Sequence, residues 1–290
     1  MKTVAPDILL AIERSAENMP AVSPILGKIH QMSREMETSP RDLVKLIMLD
    51  PTLTGKVLKL VNSSFYGLVH RVKSLPQAVV LLGMNTVKNL AVSTALLSTV
   101  FVHEKRSPLS PEGFWRHCLA TAVGCRAFAK KLNLAAADIE MFFIAGLLHD
   151  VGKILFIRID PDRYALALSE SKRLGLTLAF AELAHFGCSH AQAGGMLARK
   201  WKLDAPLIDV IELHHVYSEK EDSLRGLVTV ANNLSKRIGA GDSGNYVVEE
   251  AGDALSWHFN ITSEMFDQVA AQLPAELEKA AEFLSFIKEC

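Results

Sequence analysis

The stretch Ser39–Ser64, SPRDLVKLIMLDPTLTGKVLKLVNSS, decides how the rest of the chain is read. It carries two helix-start signals, Ser39-Pro40 and Asp50-Pro51. In each, a short polar side chain precedes a proline, whose missing N–H is not needed in the first turn of a helix. Behind the second signal, Leu53, Val57, Leu60 and Val61 recur at helical spacing and form one apolar face. Two consecutive amphipathic helices started by local chemistry predict an all-α fold.

The same pattern continues on both sides. Asp7–Ala16 carries Ile8, Leu9 and Ile12 before a break at Asn18-Met19-Pro20. Ser74-Leu75-Pro76 opens a short apolar helix that Gly83 stops, and Asn85 is expected to cap a long helix through Leu90, Leu96 and Val100. The apolar run Leu90–Val102 is too short for a bilayer and reads as a core helix. Ser107–Pro111, SPLSP, is the strongest internal boundary, because two prolines so close deny a continuous helix. Beyond it, helices are predicted around Phe114–Leu132, Ile139–His149, Tyr164–Leu174, Ala179–Phe186, His190–Trp201, Ile208–His215 and Leu224–Ile238. The loop Gly239–Asn245, GAGDSGN, ends that series, and a helix pair around Met265–Leu273 and Ala275–Ile287 closes it. One short run, Ile154–Ile159, also fits a strand. The expected organisation is an N-terminal helix over 1–18, one domain over 19–238 with halves 19–106 and 111–238, and a C-terminal helical extension over 239–290.

Composition narrows the function classes. The 290 residues hold 31 Lys+Arg against 32 Asp+Glu, a formal net charge of −1. No global field draws such a chain to nucleic acid or an anionic membrane, so neither is an expected partner. The charge is uneven, however. Arg41–Lys105 carries eight basic and three acidic residues, whereas Glu219 to the end carries six basic and 13 acidic. Oppositely charged ends can dock on each other or on different partners. Pro6, Asp7 and Glu13 interrupt the opening segment, which therefore does not read as a secretory leader. Cys118, Cys125, Cys188 and Cys290 show no disulfide or CxxC spacing, and the expected location is the cytoplasm.

Ten histidines are unremarkable as a count, but their placement is informative. His117, His149, His190 and the pair His214-His215 each lie in or beside an apolar helical run, so they face an interior. Imidazoles and a carboxylate converging from several helices are what a divalent transition metal needs. In AGLLHDVGK (Ala145–Lys153), His149 and Asp150 can address a metal centre from two directions, with Asp150 able to bridge two ions. The small Ala145-Gly146 pair allows close approach of a neighbouring helix, and Lys153 can face a bound phosphate. Trp115 and Trp201 read as core anchors, and NSSFYG (Asn62–Gly67) as a helix C-cap and packing corner.

Several blocks together are similar to the HDOD domain, a divergent branch of the HD superfamily of metal-dependent phosphohydrolases. They are MPAVSPILGKIHQM, DPTLTGKVLKLVNSSFYG, VKSLPQAVVLLGMNTVKNLA, FWRHCLA, AGLLHDVGK, HAQAGGMLARKWKLDAPLIDVIELHH and VANNLSKRIG, spanning Met19–Ile238. The resemblance implies a multi-helix HD-like domain preceded by an N-terminal helical subdomain, in a bacterial signalling context. It matches His117 to the superfamily's first metal-ligand histidine, and His149 and Asp150 to its His-Asp pair. His190, His214 and His215 fall where the HD-GYP relatives place further ligands, with His185 a rival to His190. One or two ions of Fe, Mn, Ni or Zn are implied, with Asp150 and Lys153 as catalytic candidates. The final Asp of the superfamily is replaced by Asn232, and the GYP block after His214-His215 is absent. An amide is a poorer ligand than a carboxylate for a hard dication. Two functions follow as expectations: a non-catalytic signalling module with protein partners and a nucleotide ligand, or a metal-dependent phosphohydrolase acting on a nucleotide or cyclic dinucleotide.

Overall fold

A computed structural model describes residues 6–18, 28–29, 39–100, 107–216, 223–249 and 259–288. Among these the chain is helical throughout, with fourteen helices. They are α1 (Pro6–Asn18), α2 (Pro40–Met48), α3 (Pro51–Val61), α4 (Leu75–Leu82), α5 (Met84–Val100), α6 (Pro111–Lys131) and α7 (Ala136–Leu148). There follow α8 (Gly152–Ile159), α9 (Pro161–Leu174), α10 (Leu178–Phe186), α11 (His190–Lys200), α12 (Ala205–Leu213), α13 (Ser223–Arg237) and α14 (Ser263–Lys288). The break at Met19-Pro20, most of the first HDOD-like block and the end of Leu90–Val102 lie outside the described residues.

The local start signals act as read. The Ser39 and Asp50 side chains accept from Asp42 N and Leu53 N, at 3.3 and 2.9 Å, and Ser110 caps α6 the same way. Asn85 does not cap α5; the helix begins one residue earlier, because Gly83 at φ +85° turns the chain and lets α5 start at Met84. The strand alternative at Ile154–Ile159 is also wrong, since these residues form most of α8. Gly152 to Ile157 are all buried, so the segment has no polar face and gives no helical stripe. The predicted terminal helix pair is one helix, α14, with Pro274 inside it. Val269, Leu273, Leu277 and Ala280 form a continuous buried stripe across the proline, and that burial outweighs the lost backbone hydrogen bond.

Helix α6 is the spine of the core and packs on α7, α13 and α14. Trp115, Trp201, Cys118 and Cys125 are buried, as expected of core residues. The acidic α14 also lies on α3 and α5, where Ser64 Oγ donates to the Lys279 carbonyl at 3.2 Å, and Arg116 pairs with Glu278 at 2.9 Å on α6. The C-terminal end thus docks on the basic N-terminal half. Three glycines set the helix spacing around the interior. A Cβ on Gly146 would stand 2.7 Å from Ala122 Cα, so α6 and α7 touch backbone to backbone. A Cβ on Gly152 would overlap the His190 carbonyl, and one on Gly194 would stand 2.7 Å from Ile211. These contacts draw α8, α11 and α12 together at one point. No described helix is long and apolar enough to cross a membrane.

Candidate metal centre

That point is occupied by histidines. His149 is the C-cap residue of α7, and Asp150 follows in the turn before α8, so the pair sits at a helix junction. Asp150 Oδ2 faces His149 Nε2 at 3.4 Å and His117 Nε2, from α6, at 3.6 Å. Its Oδ1 faces His190 Nε2 at 3.1 Å and His214 Nε2 at 3.7 Å. His215 Nε2 lies 3.0 Å from His190 Nε2. Two donor sets therefore share one carboxylate: His117, His149 and Asp150, and Asp150, His190, His214 and His215, each set with its atoms within 4.8 Å. The structure brings together all six residues singled out in the sequence. Of the rivals His185 and His190, only His190 is present, because His185 pairs with Glu170 at 2.6 Å between α9 and α10.

Each ring is oriented through its other nitrogen. His149 Nδ1 donates to the Gly146 carbonyl at 2.8 Å, and His214 Nδ1 to the Ile211 carbonyl at 3.1 Å. Carboxylates hold two more: Glu182 with His190 Nδ1 at 2.6 Å, and Glu249 with His215 Nδ1 at 3.0 Å. Ser235 Oγ donates to the Asn232 carbonyl, leaving it to accept from His117 Nδ1 at 3.0 Å. A proton on each Nδ1 leaves Nε2 as a lone pair turned inward, the arrangement by which outer groups prepare histidines for a metal. Sequence reasoning missed Glu182, Glu249, Ser235 and the Ser243 carbonyl. Only Glu182, an acid inside the apolar run LAFAELAHF, left a trace there.

The remaining polar atoms test the fit of a cation. His117 Nε2, His149 Nε2 and Asn232 Oδ1 are buried without a hydrogen-bond partner among the described residues. Three acceptor lone pairs without a donor suit a water or a cation, and the converging carboxylate and imidazoles favour the cation. Asn232 lies one turn before Ser235 on α13, on the face that meets His117. Lys153 does not face an open phosphate site. Its ammonium is buried and donates to Asp150 Oδ2 at 2.6 Å and the Ser243 carbonyl at 2.8 Å, beneath the 239–245 loop. Asn232→Asp is expected to bind zinc or manganese about tenfold more tightly in chelator competition, as a carboxylate adds charge to the donor set. An unchanged affinity would place residue 232 outside the ligand shell.

Electrostatics follow from burial. Desolvation pushes His149 down to about 3 against the pull of Asp150, and holds His117 and His215 well below the ordinary imidazole range. Burial also lowers His190, but Glu182 and Asp150 outweigh it and the net shift is upward. Burial would raise Asp150, yet His149, Lys153 and its hydrogen bonds keep it well below the usual carboxylate range. A histidine neutral when folded gains its proton only on unfolding, so below about pH 6.5 the unfolded chain binds more protons. Metal-free protein is therefore expected to lose stability as pH falls from 7 to 5, by up to about 1.4 kcal/mol per unit for each such histidine. Urea denaturation at pH 7, 6 and 5 reads the slope; a flat profile would mean these rings are not held neutral.

The arrangement defines a class: helical domains in which a His-Asp pair at a helix junction anchors histidines from neighbouring helices. This chain belongs to the HDOD family, whose HDOD domain model matches residues 19–217. An uncharacterised protein of Treponema pallidum is 25% identical over 278 residues, covering 94% of this chain and 52% of that protein. Ribonuclease Y of Mycoplasma mycoides is 28% identical over 155 residues, covering 53% of this chain and 30% of the enzyme. The chain thus spans about half or less of the curated relatives it matches. Among solved structures, an HDOD domain protein of unknown function from Geobacter sulfurreducens superposes with a TM-score of 0.72 at 23% identity, covering 97% of each chain. A Marinobacter aquaeolei VT8 protein described as a signal transduction protein gives 0.76 at 20% identity, over 97% of this chain and 65% of that one. These structures share the fold.

Proposed function

We propose that the chain is a regulatory HDOD module of bacterial signal transduction, whose His/Asp centre holds metal without hydrolysing a substrate. The observation that carries this reading is the closure of the centre. His149 and His190 are 0% exposed, and His117, Asp150, Lys153 and His214 are 1% exposed. A phosphorus atom under attack must touch the metal and its activated water, and the centre opens only beside His215, whose side chain is 13% exposed, which leaves little room for a phosphoester next to an ion. In hydrolytic relatives a bound dication lowers the pKa of water and makes it a nucleophile. Here His117, His149, Asp150, His190, His214 and His215 would hold the ion, with Asn232 a neutral further donor. Asp150 is also committed to Lys153.

Output on this reading passes through protein contacts, with signalling proteins as partners. Met48, Leu49, Val69, Val80 and Leu81 are all more than half exposed, with Val69 at 90% and Val80 at 82%. Exposed apolar side chains at five positions of the 48–81 segment support a surface there that is covered in use. The alternative, a metal-dependent phosphodiesterase, is favoured by the assembled donor set. The two separate in one experiment: metal analysis of protein purified without chelator, then a phosphodiesterase assay with manganese or iron. Bound metal with turnover no higher than that of Asp150→Ala is the expected result. Turnover that His149→Ala and Asp150→Ala both abolish would overturn the non-catalytic reading.

A further inference from the structure

A second cluster of charge lies far along α6 from the histidines. Arg126, nine residues after His117 on that helix, stacks its guanidinium 4.2 Å over the Phe65 ring and lies 5.2 Å from that of Tyr66. Its side chain is only 13% exposed, and its nearest acid, Glu140, stands at 3.6 Å, beyond hydrogen-bond distance. Glu140 also accepts from the Tyr66 hydroxyl at 3.3 Å. Nε and Nη1 of Arg126 have no acceptor among the described residues. This arginine lines a cavity of about 300 Å³ together with Phe65, Lys130, Lys131, Gln272 and Glu276. Three cations thus line the cavity with one acid, Glu276, which is already paired with Lys279 at 2.7 Å; Glu140 is not part of the lining, and Lys131 donates to Gln268 at 2.7 Å. Burial and the Arg126 charge lower the Lys130 pKa against the opposing pull of Glu140 and Glu276.

We propose that this cavity binds a phosphate-bearing ligand, an anion site separate from the metal centre. A charge held by packing and left short of acceptors is stabilised by a multivalent anion, and an Arg with flanking Lys is the usual means of recognising phosphate. The volume is at the lower bound of small-ligand pockets, enough for a phosphate or diphosphate group. The walls come from α6, α14 and the NSSFYG turn after α3, so a ligand there would bridge the two halves of the domain and the C-terminal helix. The site rests on none of the histidines and stands or falls apart from the metal reading.

The test is isothermal titration of the full chain, stripped of metal, with inorganic pyrophosphate and separately with ATP. Saturable one-to-one binding is expected, weakened about tenfold or more by Lys130→Gln and by Arg126→Gln, and unchanged in His149→Ala. Equal affinity for the two probes identifies the phosphate group alone as the ligand; tighter ATP binding assigns a nucleotide. Arg126→Gln risks the fold through Glu140, so circular dichroism accompanies it, and Lys130→Gln carries the test if it unfolds. Binding of neither probe, or binding that His149→Ala removes and Lys130→Gln leaves intact, overturns the proposal.

Discussion

Asp150→Ala is expected to lose its metal and a large part of its stability together. The carboxylate is the one group common to both donor sets, so its removal dismantles each of them. It also leaves the Lys153 ammonium buried, with only the Ser243 carbonyl accepting from it. Breaking a buried pair by removing one partner costs about 3–5 kcal/mol, because the charge that remains has neither water nor counter-ion. Asp150→Asn keeps the shape and an acceptor oxygen, and should recover part of the stability but little of the metal. Metal content by mass spectrometry and unfolding in urea give the two quantities separately. Metal content equal to that of the parent would remove Asp150 from the centre, and a loss under about 1 kcal/mol would show that Lys153 finds water when its partner is gone.

Gly152→Ala should be nearly as damaging without changing any polar group. The added methyl would overlap the His190 carbonyl and stand 2.9 Å from Gly194 Cα, and both contacts are with backbone, which cannot rotate away. Separating α8 from α11 by the needed fraction of an ångström is expected to cost about 1–3 kcal/mol or more by overpacking. It would also move His190 off Asp150, so metal affinity should fall by at least about tenfold, as displaced ligand geometry does elsewhere. Gly55→Ala is the control, since its Cβ meets nothing within 4 Å. Parent-like stability and metal content in Gly152→Ala would mean that the contact between α8 and α11 does not position the centre.

Much of this molecule can be read along the chain because its signals are local. The caps at Ser39 and Asp50 are set by residues within one turn of one another, and each forms as read. The six site residues were legible as histidines and an aspartate beside apolar helical runs, together with their match to a family pattern. What could not be read was whatever depends on the tertiary environment. Periodicity fails for α8, because a helix buried on every side has no polar face to mark its turn. Pro274 looks like a terminator until the buried stripe on both sides of it is seen packed. The groups that orient the rings escaped for the same reason: Ser235 and Glu249 are ordinary surface-type residues in sequence, Glu182 shows only as an acid in an apolar run, and packing alone brings them to His117, His215 and His190.

The family-matched stretch ends at residue 217, whereas Asn232, Ser235, Ser243 and Glu249 all lie beyond it. The matched stretch therefore contributes the histidines and the partners of His149, His190 and His214, and the next segment contributes the partners of His117 and His215 and the loop over Lys153. The unit that builds the centre is accordingly longer than the stretch the family model matches. Recombination that exchanged residues 19–217 alone between relatives would separate His117 and His215 from the groups that orient them. Selection on this centre should tie α13 and the loop that follows it to the histidines they serve.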